Sequence, residues 1–557
     1  MPAIAARESW ATRVGLVLAM AGNAVGLGNF LRFPAQAAQN GGGAFLIPYL
    51  VSFVVMGIPL LWVEWAIGRH GGQFGHHSAP GMFDRLGHAR WLKYVGVFGL
   101  FTNLTVAAYY TYLESWTLAY VWHSATATFR DVDPATFFSG YVGTSDGGLT
   151  AIPGEALFFF VVTLILNALI LSRGLGRGIE LAAKVGMPLL IGFAIVLAIR
   201  GLTVQPGDPG VVASPLEGLN FVWEPRIGGL TSPTTWLAAA GQVFFTLSLG
   251  MGSIHCYASY LDRRQDIALN ASSAGWLNEF VEVVLGGSIL IPIATAYLGL
   301  AAVSGATGGG SGFALGFLSL PTLFQNWGWF APLAGAMWFG LLFFAGITSS
   351  LAMGQPILAF LQDEFRVSRR AGAFVFALAT FALGFVCVWL YPGGAFDEFD
   401  FWTGTFSLVV FALAEVLVFG WVFGIDRGWE EITRGAEITI PRLFRFVIRY
   451  VTPAFILVVF AGALIQPEGG AWSAAFQSLL AGEGWPLAPE SVIGRVFHIG
   501  PEGGAWLDAA GRPTAVLVQD ATRLLLLLVF LAWAWLVHVA WRRHGRPERA
   551  ARRGSAR

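Results

Sequence analysis

Residues 20–34 read Met-Ala-Gly-Asn-Ala-Val-Gly-Leu-Gly-Asn-Phe-Leu-Arg-Phe-Pro, placing Gly22, Gly26 and Gly28 beside Asn23, Asn29 and Arg32 in an apolar run. Each glycine lowers helix propensity by about 1 kcal/mol relative to alanine. A helix opened here exposes carbonyls and amides that lipid cannot satisfy, so a polar ligand is expected. A second interruption, Phe-Thr-Leu-Ser-Leu-Gly-Met-Gly at 245–252, carries two glycines, a threonine and a serine. Broken helices at corresponding places in two halves of a chain mark a transporter with its site at the bilayer midplane.

The elements that must hold these breaks are membrane helices. The chain has 557 residues, 55% hydrophobic and only 12% charged, far outside the range of soluble domains. Apolar runs of about twenty residues predict twelve spans, from 12–37 and 43–68 to 445–465 and 522–541. Most of the 33 lysines and arginines fall in the segments that lie inside when both termini are cytoplasmic. The net charge of zero therefore hides a sidedness and gives no reason to expect nucleic acid. Arg7, Glu8 and Arg13 flank a first span too long and too polar for a cleavable signal, so it is expected to stay. Cys256 and Cys387 both lie within spans, and no disulfide framework or cysteine metal site is expected. The outer loops 124–155 and 466–521 contain no asparagine, hence no glycosylation sequon, which favours a prokaryotic plasma membrane.

The second interruption falls five spans after the first. This predicts a 5+5 inverted repeat, with residues 1–203 as the first half and 204–424 as the second. Residues 425–557 then hold spans eleven and twelve, an external insertion at 466–521 and a basic cytoplasmic tail. The insertion repeats Pro-Glu-Gly-Gly-Ala-Trp at 467–472 and 501–506 and reads as structural decoration, either mobile or a small cap.

Residues 10–34, Asn-Gly-Gly-Gly-Ala-Phe-Leu-Ile-Pro-Tyr at 40–49, Glu-Ser-Trp-Thr at 114–117, 241–250, Leu-Asn-Glu at 277–279 and Phe-Phe-Ala-Gly-Ile-Thr-Ser-Ser at 343–350 resemble the neurotransmitter:sodium symporters. Within that family the chain is most similar to the bacterial leucine-transporter branch. The likeness covers about residues 7–465 and the last span. It implies an all-α polytopic membrane protein with helices 1 and 6 broken. The expected activity is sodium-coupled import of hydrophobic amino acids, not an enzymatic reaction.

Sodium is a hard cation that takes oxygen ligands. By resemblance, one sodium is held by the Ala24 carbonyl, the side-chain oxygens of Asn29, Thr246 and Asn278, and the substrate carboxylate. The other is held by the carbonyls of Gly22, Val25 and Ala345 and the hydroxyls of Thr348 and Ser349. The shared carboxylate makes ion and substrate raise one another's affinity. Ser, Thr and Asn in spans also serve as interhelical glue, the blander reading of each residue taken singly.

Amine-transporting members carry aspartate where this chain has Gly26, so a substrate bringing its own carboxylate is expected. The resemblance assigns that carboxylate to the Leu27 and Gly28 amides and the Tyr110 hydroxyl, at a half-helix N-terminus. The ammonium group goes to the carbonyls of Ala24, Phe245 and Thr246 and the Ser248 hydroxyl. The side-chain pocket maps to Val106, Phe245, Met251, Ser349 and Met353 and carries no charge. The two methionines replace more rigid residues of the leucine-transporting prototype and widen the expectation toward aromatic side chains.

Arg32 and Asp400 are expected to pair across the outer vestibule, above a lid of Tyr110 and Phe245. Arg7 and Asp363 are expected to pair on the cytoplasmic side, supported by Trp10, Ser259 and Tyr260. Glu282 stands where chloride-dependent members have a neutral residue, near Tyr49, Gln242 and Thr246, so chloride independence is expected and proton antiport is a further reading. Glu64 and Glu415 are read as holding the loose ends of the broken helices; His255, on the pocket-facing stripe of span six by its spacing from Met251, is read as a packing histidine in preference to a pH-sensitive element of the inner pathway. Expected partners are an amino acid, two sodium ions without chloride, and the lipid bilayer, with a homodimer admissible. A non-transporting amino-acid sensor on the same fold is the alternative, and a sodium channel or an intramembrane enzyme fits the paired gates and the residue types less well.

Overall fold

The computed structural model describes residues 10–145, 152–305, 315–499, 504–507 and 514–554. Its architecture is helical, with no named strand among those residues. In chain order the principal helices are α1 (Arg13–Ala24), α2 (Gly28–Gln39), α3 (Gly43–Gly72), α4 (Val97–Ala125), α5 (Gly154–Ser172) and α6 (Leu175–Leu202). They continue with α7 (Pro233–Thr246), α8 (Ser253–Ala258), α9 (Ala268–Leu298), α10 (Gly328–Phe365), α11 (Arg369–Trp389), α12 (Ala395–Thr433), α13 (Leu443–Leu464) and α14 (Ala515–Arg543).

Nine of these are long and apolar enough to cross a bilayer, or ten if α1 and α2, bent by 51° at their junction, form one span. Two further runs of the twelve expected fall outside that criterion: α4 and the broken pair α7–α8. The reason for α4 is its place in the bundle. It buries Thr102, Asn103, Thr105, Glu114, Ser115 and Thr117 against other helices rather than against lipid, and an interior helix does not need an apolar surface all round.

Helix α1 starts at Thr12, whose hydroxyl accepts the Gly15 N–H, a standard cap for orphan amides. It stops at Val25, whose φ/ψ of −70°/98° leaves the helical region. The chain then re-enters a π-helical turn at Gly28–Arg32. Between α7 and α8 the backbone turns left-handed at Ser248 (φ 54°), Gly250 (φ 68°) and Gly252 (φ 91°). Glycine at 252 is required twice over, by that φ and because a Cβ there would stand 2.9 Å from the Gly99 Cα of α4. Gly68 and Gly72 of α3 similarly lie against the carbonyls of His255 and Ser259, with no room for a Cβ. Helices α4 and α10 form the most extensive helix–helix packing of the bundle, and at Gly346 a Cβ would lie 2.9 Å from the Glu114 Cγ.

Within 466–521 the described residues form short helices at Trp472–Leu480 and Val492–Val496. Glu468 and Ala488 donate their amides to the carbonyls of Pro486 and Gln466 at 2.9 Å each, which pins residues 466–468 to 486–488. Arg495 approaches Glu398 of α12 at 3.7 Å, and Arg523 of α14 pairs with the same carboxylate at 2.6 Å. The described part of the insertion is thus a folded cap over one end of α12.

Candidate functional site

The two breaks face each other across a small cavity. Its walls include Ala24, Gly28, Val106, Tyr110, Phe245, Thr246, Ser248, Met251, Ser349 and Met353, ten of the residues the sequence nominated. Leu27 does not line it. The Leu27 N–H instead donates to the Tyr110 hydroxyl at 3.0 Å, so this residue reaches the cavity through its backbone. Asn23, Tyr109, Gly404 and Leu408 also line the cavity and carried no role in the sequence reading. Asn23 is almost fully buried and its Nδ2 has no hydrogen-bond partner. The last two come from α12, a helix that sequence spacing alone does not bring to the breaks.

The break in α7–α8 is held by other helices. Met251 offers its carbonyl to the Thr102 hydroxyl at 2.9 Å and the Asn103 amide at 2.6 Å. The Gly250 N–H donates to Glu64 at 2.8 Å, as expected of that residue. Glu415 differs: it bonds no backbone group of the break and instead meets the Glu64 carboxyl, with His255 facing it at 3.6 Å. His255 is a buried packing residue, held between Phe83 and Phe411, but it lies away from the cavity, because left-handed Gly252, between the two, breaks its i, i+4 register with Met251.

Two oxygen-rich clusters flank the cavity. In one, the Asn29 amide donates to Asn278 Oδ1 at 2.8 Å, and Asn278 Nδ2 donates to the Thr246 hydroxyl at 3.0 Å. Glu282 sits at its centre, accepting from Gln242 at 2.5 Å and from the Thr246 hydroxyl. A π-helical stretch, Phe280–Gly286, carries Glu282, a feature common where a helix is bent to serve a site. A second buried carboxylate, Glu279, stands beside Asn278 at 3.4 Å and carried no sequence-derived role. In the other cluster, the Ser349 hydroxyl donates to the carbonyls of Gly22 and Ala345, both at 3.2 Å. Thr348 donates to Ala345 O at 3.1 Å, and Val25 is the residue at which α1 opens.

The Ser248 hydroxyl donates to Asn23 O at 2.9 Å, joining the two breaks. Its left-handed backbone is a strained conformation for a non-glycine residue, of the kind that collects at binding sites.

The gates are arranged differently from expectation. No ion pair joins Arg32 to Asp400; the Arg32 guanidinium lies over the Phe245 ring, 4.4 Å from its centroid, a cation–π contact that substitutes for the carboxylate. Asp400 stands next to Tyr109 near Gly404, with its Oδ1 buried and unpartnered. On the opposite side, Arg7 lies outside the described residues. Asp363 accepts the His77 N–H at 2.8 Å. His77 also stacks on Tyr260 at 4.4 Å and contacts the Ser259 hydroxyl at 2.8 Å, while the Trp10 indole donates to Tyr257 O at 3.1 Å. Ser259, Tyr260 and Asp363 are therefore joined through His77, which the sequence did not single out, while Trp10 reaches α8 at Tyr257.

A membrane helix bundle with two facing breaks, carbonyls and hydroxyls around an uncharged cavity, defines an ion-coupled transporter of small solutes. Residues 7–133 and 127–494 match the sequence profile of the sodium:neurotransmitter symporter family, and the chain belongs to that family. It is similar to an uncharacterized sodium-dependent transporter of Methanocaldococcus jannaschii, 30% identical over 461 residues, 81% of this chain and 89% of that one. It is also similar to the sodium-dependent nutrient amino acid transporter 1 of Drosophila mojavensis, 25% identical over 83% of this chain and 77% of the relative. Among solved structures it resembles MhsT in complex with L-phenylalanine, with a TM-score of 0.69 and 30% identity over 82% of this chain and 99% of that chain. The protein is a membrane transporter of a sodium-dependent family, not an enzyme.

Proposed function

We propose that the protein imports hydrophobic amino acids, aromatic as well as aliphatic, together with two sodium ions and without chloride. The observation that carries this reading is the single cavity that gathers both helix breaks around walls without a charged side chain. The Leu27 and Gly28 amides and the Tyr110 hydroxyl form its anion-binding corner, where a half-helix N-terminus favours a carboxylate. Asn23 O, Ser248 and the carbonyls of Ala24, Phe245 and Thr246 form the cation-binding side. Val106, Met251 and Met353 surround the substrate side chain, and a carboxylate-bearing hydrophobic solute is what such a cavity recognises.

The Asn29–Thr246–Asn278 cluster, with the Ala24 carbonyl, is the first sodium site. Gly22, Val25, Ala345, Thr348 and Ser349 are the second. Glu282 supplies beside the first site the negative charge that chloride provides in other members. The halves 1–203 and 204–424 are the two repeats that move against each other, with both termini cytoplasmic. Arg32, Phe245 and Asp400 are partly exposed while Trp10, Ser259 and Tyr260 are buried, an arrangement that fits a site open to one side only.

The test is uptake of radiolabelled amino acids into proteoliposomes with inward sodium or with potassium in its place. Sodium-driven accumulation of leucine- and phenylalanine-like substrates above equilibrium is expected. Sodium-dependent binding without accumulation would overturn transport and leave a sensor.

A further inference from the structure

The helix Trp472–Leu480 of the insertion has two unlike faces. At about 100° per residue, Trp472, Ala475, Phe476, Leu479 and Leu480 fall on one arc, and Ser473, Gln477 and Ser478 fall on the other. Ala475 is buried, but Phe476, Leu479 and Leu480 are 53%, 51% and 88% exposed. A helix with such an apolar stripe normally packs it away, and an open one marks a surface that another phase or molecule covers. No charged residue occurs from Gly469 to Gly482, so this face offers nothing for ion-pair recognition of a protein partner.

Its neighbours indicate what covers it. Helix α13 is one of those apolar enough to cross a bilayer, and it exposes Leu457 and Val458, with Ile465 exposed just past its end. The Ile465 carbonyl accepts the Trp485 indole N–H at 2.8 Å. The Trp485 ring in turn meets Phe476 edge-on at 5.1 Å, so apolar surface leads from the membrane helix onto the open face.

We propose that this helix is an interfacial one, lying along the bilayer surface with Phe476, Leu479 and Leu480 in the boundary between headgroups and acyl chains. The partner is the lipid surface itself, in the outer leaflet under the orientation proposed above. An uncharged amphipathic helix rich in Trp, Phe and Leu suits that boundary. Trp472 and Trp485 have the apolar body and polar edge that set tryptophan at headgroup level. The Trp472 indole is directed at the Thr234 hydroxyl at 3.3 Å, and that hydroxyl donates to Gly470 O at the same distance. Thr234 opens α7, whose other end is the break at Thr246. The interfacial helix therefore holds the ends of α13 and of one half of the broken span at the bilayer boundary. Glu483, the first charge after it, is exposed and stays on the aqueous side.

The test uses the full chain in nanodiscs of phosphatidylcholine and phosphatidylglycerol, with a nitroxide on Leu480→Cys. Cys256 and Cys387 are both buried, and wild-type protein treated with the label gives the background. Size-exclusion chromatography reports that each labelled variant is folded. Power-saturation electron paramagnetic resonance should show the label several-fold more accessible to oxygen than to a water-soluble nickel chelate, with Phe476→Cys behaving alike and Glu483→Cys showing the reverse preference. Preference for the chelate at both 480 and 476 places the face in water and overturns the proposal. A label shielded from both reagents overturns it too, because a second copy of the chain then covers the face. So does an oxygen preference that persists unchanged at 483, which would put the whole segment inside the bilayer rather than at its boundary.

Discussion

A Cβ placed on Gly26 would stand 2.7 Å from the Tyr110 hydroxyl and 3.1 Å from the Ser349 hydroxyl. The place that amine transporters of the family fill with aspartate is thus closed by two hydroxyls that belong to the proposed carboxylate corner and the second sodium site. Gly26→Ala must push Tyr110 off the Leu27 amide, and it should weaken sodium-dependent substrate binding at least tenfold while leaving the protein folded. A binding assay alongside size-exclusion chromatography checks this; unchanged affinity would remove Tyr110 from the site.

Arg32 spends its guanidinium on Phe245 rather than on Asp400, so the proposed outer pair would have to form with occupancy. A double-mutant cycle with Arg32→Ala and Asp400→Ala, read out on substrate affinity in sodium, should show a coupling of about 1 kcal/mol. Additive effects would mean that the two residues never meet in the bound state.

Glu282 receives hydrogen bonds from both Gln242 and Thr246, and a neutral replacement leaves those donors without a negative partner. In Glu282→Ser, uptake should fall in gluconate and recover several-fold in chloride. The wild-type rate should be the same in both media. Strong chloride stimulation of the wild-type protein would defeat the assignment.

Much of this site was legible in the residues because it is written in exceptions to membrane-helix chemistry. Gly22, Gly26, Gly28, Gly250 and Gly252 cannot be explained by packing into lipid, so they mark the breaks before any coordinates. What stayed hidden depends on distance across the bundle. Gly404 and Leu408 enter the cavity from α12, His77 joins the Ser259–Tyr260 layer from the turn after α3, and neither carries a local signal. His255 shows the limit most plainly. Helical spacing puts it with Met251, but left-handed Gly252 between them uncouples the two, and the ring faces Glu415. The α4 helix shows the reverse error of scale, since its polar residues lower its hydropathy for the same reason that it lies at the centre.

The two methionines of the cavity test the substrate range. Met251 and Met353 are unbranched and can rearrange around ligands of different shape, so Met353→Ile should cost phenylalanine more than leucine, lowering the ratio of their uptake efficiencies several-fold. A parallel loss for both substrates would make Met353 ordinary packing.

Arg69 supplies a stability prediction away from transport chemistry. Its side chain is fully buried, its Nε pairs with Glu431 at 2.9 Å, and its remaining nitrogens donate to the carbonyls of Gln265, Arg434 and Glu431. These contacts fasten α3 to the last turn of α12 and to the loop after α8. Removing Arg69 takes one of two cations from the buried Glu431, which keeps its pair with Arg434 at 2.7 Å, and it also strips three carbonyls of their donor, each such loss costing about 1–3 kcal/mol. Arg69→Met should therefore lower the thermal midpoint measured in detergent well below that of wild type. Arg69→Met combined with Glu431→Leu should recover much of the loss, because the replacement pair buries no charge. If the double variant is no more stable than the single one, the carbonyl contacts rather than the ion pair hold this corner of the bundle.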